Sequence, residues 1–465
     1  MGETRTETDS MGQMQVPADA LYGAQTARAV ANFPISGWPM PRRFVHAVGL
    51  IKQAAAAAHR KAGRLDADKA AAIISAAQEV VDGKLDDQFV VDVFQTGSGT
   101  STNMNANEVI ATRAGQLLAA QAGQPATVHP NDDVNMSQSS NDVIPTAMHI
   151  AAAAAIHTEL VPALKALREA LEAKAAEFDA VVKIGRTHLM DAVPIRLGQE
   201  LGGYAAQIDN VLNMLGRAMG GLCEVPIGGT AVGTGLNVPD GFAEDVCKIL
   251  AAQTKLPLRL VGNRFASQGA KDNVVFASGV LRTVALAIGK IASDIRLLGS
   301  GPRCGLGELR LPATQPGSSI MPGKVNPVMC ESVIQVACQV VGNDAAIAAG
   351  ATGGVGGILE LNVAMPMIAN NLLCSIRLLA NVARAFTDQC IRGLEADEAR
   401  CRELVERSLA MVTALAPRIG YDDAAEIAKQ ACQAGKTIRE ICLANEVIGE
   451  DELADLLDAR KQTGR

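Results

Sequence analysis

Gly317-Ser318-Ser319-Ile320-Met321-Pro322-Gly323-Lys324-Val325-Asn326-Pro327 runs directly into the apolar stretch Cys330-Glu331-Ser332-Val333-Ile334-Gln335-Val336-Ala337-Cys338-Gln339-Val340-Val341. Glycine opens backbone conformations closed to other residues and proline interrupts regular ladders, so the first part is predicted to be a mobile loop. The second part has the length and apolarity of a buried helix. Two hydroxyls, one ammonium and one amide are thus held on a loop anchored to a rigid element, as a site that grips an anion requires. A plain surface connection would account for the glycines and prolines, but not for Lys324 and Asn326 beside a buried helix.

Working outward, the residues after Asn141 read as long helices. Apolar-periodic stretches cover Asn141 to Ala176, Gly198 to Met219, Asp240 to Ala252, Asn273 to Leu298, Asn326 to Ala349 and Pro366 to Leu394. Asn141 or Asp142 is placed to cap the first of them, with Pro145 near its first turn. Long helices without intervening strands predict a bundle. Before them, shorter helices are predicted over Phe44 to Ala62 and Ala67 to Val81, and beyond Glu395 the sequence becomes charged and short in period. The chain of 465 residues divides into about three domains, with boundaries at 1–138, 139–394 and 395–465. The expected fold class is mainly α.

Composition narrows the function. Hydrophobic residues make up 48% of the chain but aromatics only 3%, and alanine runs favour helix over sheet. The net charge of −7 is spread as interspersed signs, which excludes a nucleic-acid footprint or a basic membrane face. An anionic substrate must therefore be drawn by local groups. Arg282 and Lys290 interrupt the apolar run around Val284 to Ile288, so no membrane span is expected. Ten cysteines without a C-x-x-C pair, and no apolar leader, point to a reducing cytoplasm rather than a disulfide framework. Most of these thiols, Cys330 and Cys338 included, are expected to be small buried hydrophobes. No zinc or iron-sulfur spacing is present, so no metal is expected. Met1-Gly2 with Thr6 fits a myristoylation pattern, a short motif of low specificity.

The opening loop resembles the G-S-S-x-M-P-x-K-x-N pattern of the fumarase and aspartase superfamily. Three further blocks carry the same resemblance: Gln95-Thr96-Gly97-Ser98-Gly99-Thr100-Ser101-Thr102-Asn103-Met104-Asn105, Ser137-Gln138-Ser139-Ser140-Asn141-Asp142, and Gly185-Arg186-Thr187-His188-Leu189-Met190-Asp191-Ala192. Nearly the whole chain is covered. The resemblance implies a three-domain fold whose central long-helix bundle forms a twenty-helix core in a homotetramer, each active site being shared between subunits. From the residues alone comes only an excess of apolar surface on the helix after the loop.

The resemblance also implies roles. Ser318 is the base that takes the carbon-bound proton, His188 acts with water on the leaving-hydroxyl side, and Glu331 holds that histidine. Lys324 and Asn326 stabilise the reacting carboxylate, while Ser98, Thr100, Ser139, Ser140, Asn141 and Thr187 bind the dicarboxylate. His129, Asn131 and Asp132 resemble a second dicarboxylate site, although Ala126 and Thr127 stand where basic residues are usual and a helix-capping turn fits equally well. The tract Gly353 to Gly357 is longer in glycine than in relatives and is expected to be loose. His188 after Thr187, and Ser98 within Thr96 to Gly99, favour a cofactor-free fumarase over an aspartate ammonia-lyase. A catalytically silent structural relative would lack one of the catalytic residues, and all are present.

Overall fold

The computed structural model describes residues 3–464, so the motif at Met1-Gly2 lies outside the described residues. A hairpin, β1 (Thr4–Asp9) and β2 (Gly12–Pro17), opens the chain, and α1 (Ala24–Asn32), α2 (Arg42–Lys61), α3 (Ala67–Val81) and α4 (Thr100–Ala122) follow. Next come α5 (Ser140–Ala155) and α6 (Val161–Glu177), joined by a single π turn at Ile156–Leu160. A second hairpin pairs β3 (Val182–Thr187) with β4 (Met190–Arg196). The long helices α7 (Leu197–Leu222), α8 (Phe242–Thr254), a short α9 (Arg264–Gly269), α10 (Asp272–Leu298), α11 (Val328–Ala351) and α12 (Met365–Gln389) complete the main body. Short helices fill the remainder.

The mainly α fold is as expected, with one correction. The hairpins were not anticipated: Lys183, Gly185 and Pro194 break the apolar alternation by which a strand is recognised. The α5 cap also differs from expectation. Ser139 is the N-cap, and its backbone N–H donates to Asp142 in a capping box.

The described residues form two compact units. One contains 3–161, 213–283 and 338–379; the other contains 162–212, 284–337 and 380–464. In the first, α5 is buried nearly all round, from Val143 through Ala153, so its N-terminal turn is carried on a rigid rod. In the second, Ile184 of β3 packs into an apolar cluster with Val405, Met411, Leu415, Ile427, Ile438 and Leu453. That cluster fixes the base of the second hairpin.

Two readings drawn from the composition of apolar segments need correction. Ser140–Glu177, Asp272–Leu298 and Val328–Ala351 are each long and apolar enough to cross a membrane by length and composition. Arg282 and Lys290 are too few among the Val, Leu, Ile and Ala of a 27-residue helix to change that. The helix α11 is buried at Cys330, Val333, Val340 and Ile347, but Cys338 and Val341 face solvent. The glycine tract is not loose. A Cβ on Gly356 would lie 1.7 Å from the Gly350 carbonyl oxygen, so the chain packs there at a distance only glycine permits.

Candidate active site

In the first unit, the hydroxyl-bearing blocks meet at two helix N-termini. Gly99 takes the left-handed conformation that starts α4, with φ 74°, and places Ser98 and Thr100 against the start of α5. Ser98 Oγ lies 2.7 Å from Thr100 Oγ1, which lies 2.7 Å from Ser140 Oγ. Ser140 in turn donates to Asn141 Oδ1 at 3.3 Å. Asn141 Nδ2 donates to the Ala231 carbonyl at 2.7 Å, and Ser139 Oγ accepts from the Asn141 N–H. Ser98, Thr100, Ser139, Ser140 and Asn141 are therefore one connected cluster. Oxygen donors beside two helix N-termini make a ready receptor for a carboxylate.

Beneath this cluster lies Asp142, fully buried. Its Oδ2 accepts from the backbone N–H groups of Gly228 at 2.9 Å and Thr230 at 3.0 Å. Burial raises its carboxyl above the ordinary range, opposed by these donors and by the Lys52 ammonium. The aspartate thus anchors α5 to the loop that also receives Asn141.

In the second unit, the loop 317–327 is folded on itself. The Gly317 N–H donates to the Lys324 carbonyl at 2.9 Å, and Asn326 Nδ2 donates to the Gly317 carbonyl at 2.6 Å. A Cβ on Gly317 would sit 2.5 Å from the Lys324 oxygen, so glycine is required. Ser318 Oγ accepts two backbone N–H groups, from Ile320 at 3.2 Å and Met321 at 3.0 Å. Donors on this oxygen favour its ionised form. The exposed Lys324 makes no ion pair among the described residues.

The turn of the second hairpin is His188-Leu189, and both residues have positive φ, 57° and 62°. A two-residue turn of this kind normally uses Asn-Gly, so a histidine and a leucine here carry strain. The hairpin is held from below. Arg186 donates to both oxygens of the fully buried Glu308 at 3.0 and 2.8 Å, and the buried Lys183 lies 3.4 Å from Glu308 and 3.1 Å from Glu200. Sequence reading missed this anchor. Glu308 stands 122 residues from Arg186, and no local pattern links them.

Thr187, His188 and Glu331 are exposed, and no ion pair joins His188 to Glu331 among the described residues. His129 caps the turn Pro130–Val134, with Nδ1 accepting from the Asp132 N–H at 3.0 Å. His129 and Asn131 line a cavity of about 1040 Å³ that also holds Glu7, Asp9 and Glu108. Glu7 and Asp9 are paired with Arg5 and Arg28, and Glu108 accepts backbone N–H groups of Gly23, Gln25 and Thr26. The capping role accounts for His129 and Asp132 without a ligand.

A mainly helical chain with a hydroxyl cluster, a glycine-flanked Ser-Lys-Asn loop and an exposed histidine turn fits anion elimination chemistry. Residues 12–342 match the family described as Lyase, and residues 411–464 match that described as Fumarase C C-terminus. Fold and sequence together define a lyase. The fumarate hydratase class II of Ralstonia nicotianae is 52% identical over 462 residues, 99% of this chain and 100% of that protein. That of Mycobacterium tuberculosis is 55% identical over 457 residues, 98% of this chain and 94% of that protein. A class II fumarase from Schistosoma mansoni superposes with a TM-score of 0.95 at 40% identity, covering 99% of both chains. A Brucella melitensis structure described as fumarate lyase:delta crystallin bound to cobalt gives 0.94 at 45% identity over 100% of both. The chain belongs to the class II fumarate hydratase family.

Proposed function

We propose that the protein catalyses the reversible hydration of fumarate to L-malate by acid/base chemistry through an aci-carboxylate intermediate. The observation that carries the mechanism is the pair of backbone N–H donors on Ser318 Oγ. An ordinary serine is too weak a base for a carbon-bound proton. Two amide donors, with Lys324 six residues on, lower the cost of the alkoxide that would take it. Removal of the proton beside a carboxylate moves negative charge onto the carboxylate oxygens. Lys324, which makes no ion pair among the described residues, supplies positive charge there, and each well-placed donor contributes about 10²- to 10³-fold in rate. Asn326 acts first as the clasp of the loop, through Gly317.

The cluster Ser98-Thr100-Ser140-Asn141 binds the dianion. Its hydroxyls form a chain in which either neighbour can donate, so the protons can turn together toward an arriving carboxylate. Thr187 and His188 serve the hydroxyl side through water, with Glu331 fixing the histidine. We assign that contact to assembly, since α11 presents apolar surface that a second copy would cover. A homotetramer with shared sites follows from this reading. Division into segments 1–138, 139–394 and 395–465 belongs to the same reading, with most of the apolar cluster that receives Ile184 drawn from residues 405–457. Ten free thiols fit a reducing cytoplasm.

The test is the ultraviolet absorbance of chelator-treated protein given L-malate, or fumarate with and without ammonium. Rapid malate-to-fumarate conversion without ammonium is expected. Conversion that appears only with ammonium would move the assignment to aspartate ammonia-lyase, and none at all in a folded oligomer would indicate a silent relative.

A further inference from the structure

One lysine in the first unit has no part in the chemistry above and no exposed surface. Lys52 lies in the middle of α2, 0% exposed, among alanines, valines and isoleucines. Its Nζ donates to Asn135 Oδ1 at 2.9 Å and Gln138 Oε1 at 3.0 Å. Both acceptors are neutral, an unusual choice for a buried ammonium. The two amides also brace the backbone between them. Asn135 Nδ2 donates to the Gln138 carbonyl at 3.2 Å, and Gln138 Nε2 reaches the Val134 and Met136 carbonyls at 3.1 and 3.2 Å. Asn103 of α4 donates to the same Asn135 oxygen at 3.2 Å.

The braced segment carries strain and leads straight to the hydroxyl cluster. Ser137 has φ 58°, a left-handed conformation at a non-glycine residue. Gln138 is followed immediately by Ser139, the cap of α5. We propose that Lys52 is a positioning residue for dicarboxylate binding: its protonated amine fastens residues 135–138 and so sets the Ser139-Ser140-Asn141 receptor, which loosens when the proton leaves. The proposal rests on the dicarboxylate reading of that cluster.

Other charges near α2 are accounted for. Asp142 of α5 is the one carboxylate facing Lys52, held by three backbone N–H groups. Asp133 pairs with Lys69 of α3, Asp245 of α8 pairs with Lys61, and Glu108 of α4 accepts from Gly23, Gln25 and Thr26. His59 contacts the Met136 carbonyl and is held below its ordinary value by burial, so it is neutral above pH 7. Desolvation pushes the Lys52 ammonium down to about 7, opposed by Asp142. Burial also raises the Asp142 carboxyl against its three backbone donors, so the Lys52→Met and Gln138→Glu profiles are what assign the proton lost near neutrality to the lysine. A neutral amine still donates, but its hydrogen bonds are roughly half as strong as those of an ammonium.

Stability and binding should then move in opposite directions. Between about 7 and the unfolded value of 10.5 the unfolded chain holds the extra proton, so Lys52's contribution to stability rises with pH. Binding weakens as pH rises through about 7, where the folded chain loses the proton. A generally failing structure would lower both.

The probe is succinate, an unreactive dianion, as a competitive inhibitor of malate turnover from about pH 6 to about pH 9 at constant ionic strength. In the unmodified enzyme the inhibition constant should rise about threefold to tenfold with a midpoint near 7. Gln138→Glu supplies a carboxylate to the amine and should move that midpoint up by about one unit or more. Lys52→Met should weaken inhibition and flatten its pH profile. A flat profile in the unmodified enzyme, or a midpoint unmoved in Gln138→Glu, overturns the proposal. If Lys52→Met does not fold, Gln138→Glu decides. Malate turnover itself, measured near pH 7 in the unmodified enzyme, separately checks the reaction.

Discussion

The two halves of the chemistry are built in opposite ways. The hydroxyl cluster of Ser98, Thr100, Ser140 and Asn141 is cross-bonded and seated on a buried helix, with Ser98 and Ser140 buried and Thr100 open to solvent. The loop 317–327 is held mostly by its own backbone, with Lys324 in solvent. Binding groups are cross-bonded into the surrounding fold, while reactive groups sit on a loop closed by its own hydrogen bonds. A receptor that is set before substrate arrives loses little ordering entropy on binding, whereas a base that must meet a carbon atom at reacting distance gains from closure over the substrate. The difference predicts that damage to the loop appears in turnover and damage to the cluster appears in affinity.

The strongest test removes the base. Ser318→Ala should lower kcat by about 10²- to 10⁴-fold while circular dichroism and oligomer size stay unchanged, and near-normal turnover would remove serine from the role. Next, Glu308→Ala strips the buried partner of Arg186 and Lys183. Lys183 keeps Glu200, so the loss falls mainly on Arg186 and should cost about 3 kcal/mol, read as a lower denaturation midpoint together with reduced turnover from a loosened His188 turn. Thr100→Val breaks the hydroxyl chain at its centre. It should raise KM by about tenfold with kcat within a few-fold, and a kcat effect alone would contradict the contrast drawn above. The smallest change is Leu189→Gly, which relieves about 1–2 kcal/mol of left-handed strain against about 0.5–1 kcal/mol of added chain entropy, so the protein should be stabilised by about 0.5 kcal/mol. A loss of stability there would show that the Leu189 side chain has a partner in the assembled enzyme.

The long helices and the loop were legible in the sequence because their signals are local. Ala67–Val81 was bounded correctly by apolar period alone, and Gly317 to Pro327 announced a loop through its own glycines and prolines. The cap of α5 was displaced by two or three residues because Ser139, Asn141 and Asp142 are all good capping residues, and only the bond from the Ser139 N–H to Asp142 selects among them. The second hairpin could not be read, since its strength comes from Glu308 and from Ile184 in a distant apolar cluster. The looseness expected of residues 353–357 followed from composition, whereas the observed close packing depends on where Gly350 lies. Roles within the site were assigned by resemblance. The backbone donors on Ser318 and the hydroxyl chain depend on three-dimensional approach, and neither has a sequence signature.

The apolar surface of α11 bears on how a newly made chain reaches its working form. Val341 on this helix is open to water, along with Ile320, Met321 and Val325 in the loop just before it. If covering that surface requires other copies, refolding from denaturant passes through a compact single chain whose last step is a collision. Recovery of activity should then follow second-order kinetics at low protein concentration and give way to aggregation at high concentration, so the usable window for renaturation is set from both sides.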